Sequence, residues 1–575
     1  MAHPQTSLEP ADDPLDAQTW AANWIGLTGA PAGVQPNLWL CFRKTLRLEN
    51  VPGRVQVRIA AESKYWLWVN GRLLVFEGGL KRGPAPDATW FDELDLADAL
   101  RPGDNTFALL VWYFGKDGFS HNNSGKPGLL FEERFDRRVV LGDSGWRVIR
   151  HPAYCDTGEP HPNYRLPESN IRFDAGCDIP GWVCVGYDDS NWPKAVELGR
   201  PPCAPWGRLI LRTIPQWRDA GPRHYRSIQI QHAPDGACVH RARLPYNAQV
   251  TPCLDIEAPA GLTIDIRTDQ YIDGGEPTVR AEYVTRDGRQ AYESLGWMHG
   301  QEVCYTLPAG IRVHGLTYRE TGYDTDITGH FRCDDEALNT LWTKSARTLY
   351  LNMRDTFFDT PGRERAQWWG DVVIMLSQVF YGCDRRAHAL VRKAIRDLVS
   401  WQRPDKVLFS PTPAGNYRDE LPMQMLASVG YYGFWMYYLH TGDTGLIERV
   451  YPAVRSYLGL WGLGDDGLVV QRPGDWTWGD WGDNKDLPLL YNSWRYALAA
   501  AWPARMAELI GRERKTSRAD RSALWVRCTR ILRTGSARRL PALGTTHRAP
   551  DDCSHALAVL TGLVDAGTTT VSTLC

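Results

Sequence analysis

At 575 residues the chain exceeds what one hydrophobic core supports, so several domains are expected. Its 65 Lys+Arg against 67 Asp+Glu give a formal net charge of -2, which removes the electrostatic case for a nucleic-acid or membrane partner. Tryptophan is in excess, 25 against 15 phenylalanines. An indole N–H wants a partner when buried, so the surplus points to aromatic platforms for ligands such as sugars, with Trp-rich domain interfaces as the other outlet.

Residues 1–20 read as a tail with no apolar signal-peptide run, and no stretch reaches the length of a membrane span. The 13 cysteines include no CxxC and suit free thiols in a reducing compartment. A cytoplasmic location without cofactor or metal is expected. Residues 21–222 read as a β-sandwich resembling a carbohydrate-binding module. "VQVRIAAES" and "KYWLWVNGRLLVFEGG" alternate apolar and polar residues, and Asn70-Gly71 predicts a tight hairpin. A Pro-Gly-Asp turn precedes the strand of "NTFALLVWYF". The polar "GKDGFSHNNSGKPG" is either a ligand loop at the end of the sandwich or a solvated connection. "DDSNWPKAVELG" closes the region. Residues 223–330 predict a second sandwich, from "GLTIDIRTDQY" and "IRVHGLTYRETGYDTDITGHF".

The period changes near Asp334. "DDEALNTLWTKSARTLYLNM" puts Leu338, Leu341, Trp342, Ser345 and Leu349 on one helical face, with Asp334 as N-cap. "RRAHALVRKAIRDLVSWQ" repeats that spacing at Leu390, Val391, Ala394, Ile395 and Leu398. "MQMLASVGYYGFWMYYLHTGD", "LIERVYPAVRSYLGLW" and "LLYNSWRYALAAAWPARMAELIG" continue the series. Residues 331–575 therefore predict helical hairpins arranged as a toroid whose loops at one end converge on a pocket. An atypical basic segment at 512–550 reads as a surface insertion, a nucleic-acid arm or an altered reading frame. "DDCSHALAVLTGLVDAG" is helical again.

"FFDTPGRERAQWWGD", Phe357 to Asp371, crowds arginines, carboxylates and tryptophans around one proline and two glycines. Buried ions must be paired or neutralised, so the stretch suits a pocket that holds a sugar and protonates one of its oxygens. With Asp359 or Thr360 capping a helix from Pro361, Glu364, Trp368 and Asp371 share one face. With a start near Gln367, Glu364 sits on a loop above the helix. Crowded carboxylates raise one another's protonation, as a general acid requires. Arg363 and Arg365 hold the other carboxylates ionised or bind hydroxyls, and Trp368 and Trp369 offer faces to a sugar ring. A salt-bridged helix start with aromatic packing is the structural alternative. "GDWTWGDWGDNKD" repeats the chemistry with Asp475, Asp480, Asp483, Trp476, Trp478 and Trp481 and lacks the usual calcium-loop pattern. "NYRDELP" adds Arg418, Asp419 and Glu420. The three loops predict one carbohydrate pocket.

"DTPGRERAQWWGD" resembles the signature of bacterial α-L-rhamnosidases, approximately Asp-Cys-Pro-x-Arg-Glu-Arg-x-x-Trp-x-Gly-Asp. The matches are Asp359, Pro361, Arg363, Glu364, Arg365, Trp368, Gly370 and Asp371. The resemblance covers most of residues 20–510. It implies N-terminal β-sandwich domains followed by an (α/α)6 catalytic toroid, here incomplete at the C-terminus because fewer helices are legible than the toroid needs. It further implies inverting hydrolysis of terminal α-L-rhamnosides, with Glu364 as general acid, Asp359 and Asp371 as sugar-contacting carboxylates and Trp368 as an aromatic contact. The family's base is a late glutamate that no residue matches, and Glu420 and Asp483 are candidates by chemistry. The expected partner is a rhamnose-containing glycoside or oligosaccharide. A catalytically silent carbohydrate-binding protein is the second function class, and an (α/α)6 glycosidase for another sugar is the nearer alternative.

Overall fold

The computed structural model describes residues 19–29, 35–80, 83–135, 138–419, 428–462, 464–465, 469–470 and 502–512. The chain forms two units. The first takes Met1–Ala366, Gly382–Leu390 and Pro413–Asn416; the second takes Gln367–Tyr381, Val391–Thr412 and Tyr417–Cys575.

The first unit is built from seven-, five- and ten-stranded sheets, with a separate two-stranded hairpin. Strand Leu38–Leu48 pairs antiparallel with Gly103–Tyr113 in unbroken register from Leu38↔Tyr113 to Leu48↔Gly103. Leu38, Leu40 and Phe42 share a core with Val57, Ile59 and Leu129 of the seven-stranded sheet. Trp39 and Cys41 point the other way, into a core with Ile264, Ile266 and Val303 of the ten-stranded sheet. The five-stranded sheet is therefore the middle layer. Both of its faces are covered, so strand Lys64–Val69 is buried nearly throughout instead of presenting a polar side. The hairpin at Asn70-Gly71 forms as expected: φ is 55 at Asn70 and 80 at Gly71, the left-handed pair of a tight two-residue turn.

The line drawn at residues 222/223 is crossed by the packing. Strands Tyr154–Cys155 and Ile171–Asp174 belong to the ten-stranded sheet, and Ile171–Asp174 runs parallel to Ala281–Val284. Much of the tryptophan surplus goes to this layer boundary. Trp39 stacks on Trp112 at 4.7 Å and on Tyr154 at 4.1 Å. The indole N–H groups of Trp39 and Trp112 both donate to Asn37 Oδ1, at 3.1 and 2.9 Å. One amide oxygen thus removes the cost of burying two indoles.

Helix α1 (Glu336–Leu351) belongs to the first unit. Its N-cap is Asp335, one residue after the expected Asp334, and the Asp335 carboxylate accepts from the Ala337 and Leu338 N–H groups. Of the expected apolar face, Leu349 is buried, whereas Leu338 and Leu341 are 46% and 59% exposed. Then follow α2 (Trp369–Gly382), α3 (Ala387–Ser400), α4 (Met436–Thr441), α5 (Thr444–Leu458) and α6 (Trp502–Leu509). On α3, Leu390, Val391, Ala394, Ile395 and Leu398 are all buried, as their spacing predicts. In the described part of "MQMLASVGYYGFWMYYLHTGD", from Ser428 on, a π-helical turn at Tyr431–Trp435 leads into α4, and Tyr432 and Gly433 within it leave helical backbone at φ -69, ψ 130 and φ 88, ψ -79. The basic segment beyond Arg512 and the helix expected at 551–567 lie outside the described residues.

Glu133, on strand Gly128–Phe135, is fully buried and its carboxyl oxygens have no hydrogen-bond partner among the described residues. Burial pushes its pKa from the ordinary 4.5 up to about 7. Folding therefore takes up a proton: the associated stability is whole below the unfolded value and is lost as pH rises through about 7. Melting temperature should fall between pH 5 and pH 8, and Glu133→Gln should flatten that fall, gaining up to about 3 kcal/mol at pH 8. Unfolding scans at both pH values check this.

Candidate active site

The signature is divided between the units. Asp359, Arg363 and Glu364 lie in the first, Trp368, Trp369 and Asp371 in the second.

In the first unit, segment 352–366 is anchored by two buried guanidiniums. Arg354 donates to Glu77 Oε2 at 2.6 Å, Gln249 Oε1 at 2.7 Å and Thr321 Oγ1 at 3.2 Å. Glu77 also accepts from Lys64 Nζ at 2.9 Å. Burial alone would raise the Glu77 pKa, but Arg354 and Lys64 outweigh it and hold the carboxyl below its ordinary value. Arg365 lies 3.5 Å over the Trp297 ring and donates to Glu168 at 3.1 Å, to the Trp297 carbonyl at 3.2 Å and to the Pro361 carbonyl at 3.0 Å. Beside it, His299 is pushed down to about 3 by burial and by the Arg365 charge, and is neutral.

The turn that carries Glu364 is fixed from outside as well. Asp273 Oδ2 accepts from the Arg363 N–H at 3.0 Å, and Asn163 Nδ2 donates to the Arg363 carbonyl at 3.0 Å. Asp273 and Glu276 sit on the hairpin Ile272–Asp273/Glu276–Pro277. A Cβ at Gly362 would collide with the Asp273 carboxylate, so glycine there permits the approach. Asp359 closes the loop on itself: its N–H donates to the Ala366 carbonyl at 2.9 Å and its Oδ1 accepts from the Ala366 N–H at 3.0 Å.

Glu364 is 8% exposed. Its Oε1 lies 3.4 Å from Arg165 Nε and 3.3 Å from Arg363 Nη2. Arg165 in turn pairs with Glu276 and lies 4.6 Å over the Tyr164 ring. Two guanidiniums thus contact the Glu364 carboxyl. The expected helix from Pro361 does not form. Arg365 takes φ 53, in the left-handed region that a helix cannot pass through, and α2 begins at Trp369. Of the two placements, Glu364 therefore has the loop one, and the shared face of Glu364, Trp368 and Asp371 does not exist.

In the second unit, Trp369 is not a platform. It is 1% exposed, its Nε1 donates to the Ser428 carbonyl at 3.0 Å, and its ring meets Phe434 at 5.7 Å. Trp368 is half-buried, and Asp371 is exposed in the first turn of α2, where the helix dipole favours a carboxylate. Glu420, Asp475, Trp478, Asp480, Trp481 and Asp483 lie outside the described residues. The sequence reading missed Arg165, Asn163, Asp273, Glu276 and Arg354. Asp273-Gly274-Gly275 was the available sign of a hairpin; the others carry no local signal, since Asn163 meets Arg363 across 200 residues.

Residues 326–534 match the family described as bacterial alpha-L-rhamnosidase 6 hairpin glycosidase domain. An alpha-L-rhamnosidase of Formosa agariphila is 22% identical over 536 residues, covering 80% of this chain and 53% of that protein. A GH78 family rhamnosidase of Bacillus sp. GL1 superposes with TM-score 0.80 at 18% identity, over 96% of this chain and 81% of the other. Over residues 326–534 the chain is thus similar to the bacterial alpha-L-rhamnosidase family, and its fold is that of a solved rhamnosidase. A second alpha-L-rhamnosidase, from Streptomyces avermitilis, is 24% identical over 466 residues, 74% of this chain and 41% of its own length. The structure of Streptomyces avermitilis alpha-L-rhamnosidase complexed with L-rhamnose aligns with TM-score 0.71 at 19% identity, over 92% and 51% of the two chains. The chain spans about half the length of the curated relatives it matches. The rhamnosidase architecture, a β-rich N-terminal region ahead of a helical region, is the one described above.

Replacing Arg354 with Met removes a cation from Glu77 inside the first unit. Breaking a buried pair from one side costs about 3–5 kcal/mol. Urea unfolding of Arg354→Met should show a loss of that order, and an unchanged midpoint would contradict the anchoring role.

Proposed function

We propose that the protein hydrolyses terminal α-L-rhamnosides with inversion, and that Glu364 is the general acid. The carrying observation is the placement of Glu364. Its carboxyl stands on a turn fixed by Asp273 and Asn163, oriented by Arg165 and Arg363, and still partly open to solvent. A proton donor must be held within hydrogen-bond reach of the leaving oxygen, and a rigid loop does this better than a mobile one. The match of residues 326–534 to the rhamnosidase domain and the L-rhamnose named in the Streptomyces avermitilis structure support the choice of sugar. The bound glycoside is a rhamnose-containing molecule or oligosaccharide.

In this reading the glycosidic oxygen approaches Glu364, takes its proton and departs with the aglycone. Asp359, Arg363 and Asp371 contact the sugar hydroxyls, and Trp368 contacts the ring. Inversion requires a second carboxylate to activate water, roughly 6.5–9.5 Å from the acid. Glu420 and Asp483 are the candidates by chemistry; Asp475, Trp478, Asp480 and Trp481 are proposed to complete the sugar pocket.

Glu364→Gln should lower turnover of an α-L-rhamnoside with a poor leaving group by about two to four orders of magnitude. A substrate with a good leaving group, which needs less protonation, should lose less. Equal losses on both would assign Glu364 a positioning role and overturn the proposal.

A further inference from the structure

A cavity of ≈ 430 Å³ opens in the first unit between α1 and the edge strand Arg218–His224 of the ten-stranded sheet. Small-ligand sites run about 300–1,000 Å³. None of the residues that line it belongs to the signature. Trp342, Ala346 and Tyr350 follow one another at i, i+4 and i+8, so one face of α1 forms a wall with two aromatic rings and a small residue between them. Opposite stand Arg223, Tyr246 and Glu320.

The charges of this groove cancel. Glu320 meets Arg347 at 2.9 Å and Arg223 at 3.8 Å, and accepts the Tyr246 hydroxyl at 3.1 Å. Arg218, also on the wall, is taken up by Asp324 at 2.9 Å and Asp326 at 2.8 Å. Behind the wall Arg386 also holds Asp324 at 3.0 Å, Asp326 at 2.6 Å and Asp384 at 2.6 Å, so on and behind the groove four guanidiniums pair with four carboxylates, and neither a phosphate nor an ammonium gains from entering. Flat aromatic surface and fixed hydrogen-bonding groups remain. Arg347 lies 4.1 Å over the Tyr246 ring and holds it in place. The Arg223 side chain is 46% exposed, so its planar fork of donors reaches solvent. Rings that take the C–H face of a pyranose, beside an arginine and a carboxylate that take its hydroxyls, are the chemistry of an uncharged sugar.

We propose that this groove is a second carbohydrate site, which binds a neutral mono- or disaccharide independently of Glu364. The test is ¹⁹F NMR of the whole chain labelled with 5-fluorotryptophan, with the Trp342 resonance assigned by its loss in Trp342→Phe. L-Rhamnose and a panel of neutral mono- and disaccharides are titrated, with glucuronate and inorganic phosphate as charged probes. At least one neutral sugar should move the Trp342 resonance along a saturable curve. Arg223→Ala, a change at a half-exposed side chain, should weaken that curve tenfold or more. No movement with any neutral sugar, an identical curve in Arg223→Ala, or a stronger response to glucuronate or phosphate would each overturn the proposal.

Discussion

The buried guanidinium of Arg354 is the constraint on which the signature loop depends. A cation removed from water must be paired and fully hydrogen-bonded. Arg354 is paired by reaching Glu77 on the five-stranded sheet and Gln249 and Thr321 on the ten-stranded sheet at once, and its Nε is left without a hydrogen-bond partner among the described residues. Its partners fix where the chain leaves α1 and enters the turn of Glu364. Arg365, eleven positions on, repeats the device with Glu168 and Trp297. Between these anchors the loop has little freedom, and Asp273 and Asn163 use up the backbone groups at Arg363.

The middle-layer position of the five-stranded sheet follows the same economy. A sheet covered on both faces must be apolar on both faces, and Trp39, Trp66 and Trp112 supply bulk that smaller side chains would not. The polar cost concentrates in a few atoms, with Asn37 Oδ1 accepting from two indoles and Glu77 accepting from a lysine and an arginine. Glu133 lacks such a partner among the described residues, and its carboxyl is correspondingly displaced toward the protonated form.

Local chemistry was legible in the sequence. Asn70-Gly71 makes its turn because only a pair tolerant of positive φ fits between twisted strands. The apolar stripe of α3 is buried as its spacing requires. The signature pointed to Glu364 and to the order of sheets before helices. What stayed hidden depends on distant partners. The left-handed backbone of Arg365, which breaks the helix expected from Pro361, is held by Glu168 and Trp297, neither of which is near it in sequence. Among the contacts of Glu364, that of Arg165 was not legible, because Arg165 reaches it from far upstream. Trp369 read as a sugar platform because sequence spacing does not reveal Ser428 and Phe434 around it.

The proposed activity, hydrolysis of α-L-rhamnosides with inversion, rests on a loop fixed by buried ions in the β-rich unit that carries the Glu364 carboxyl. The most direct measurement is proton NMR of an α-L-rhamnoside during hydrolysis by this chain, recorded before mutarotation mixes the anomers. The account predicts that β-L-rhamnose appears first. Release of α-L-rhamnose first, or no release of rhamnose at all, would contradict it.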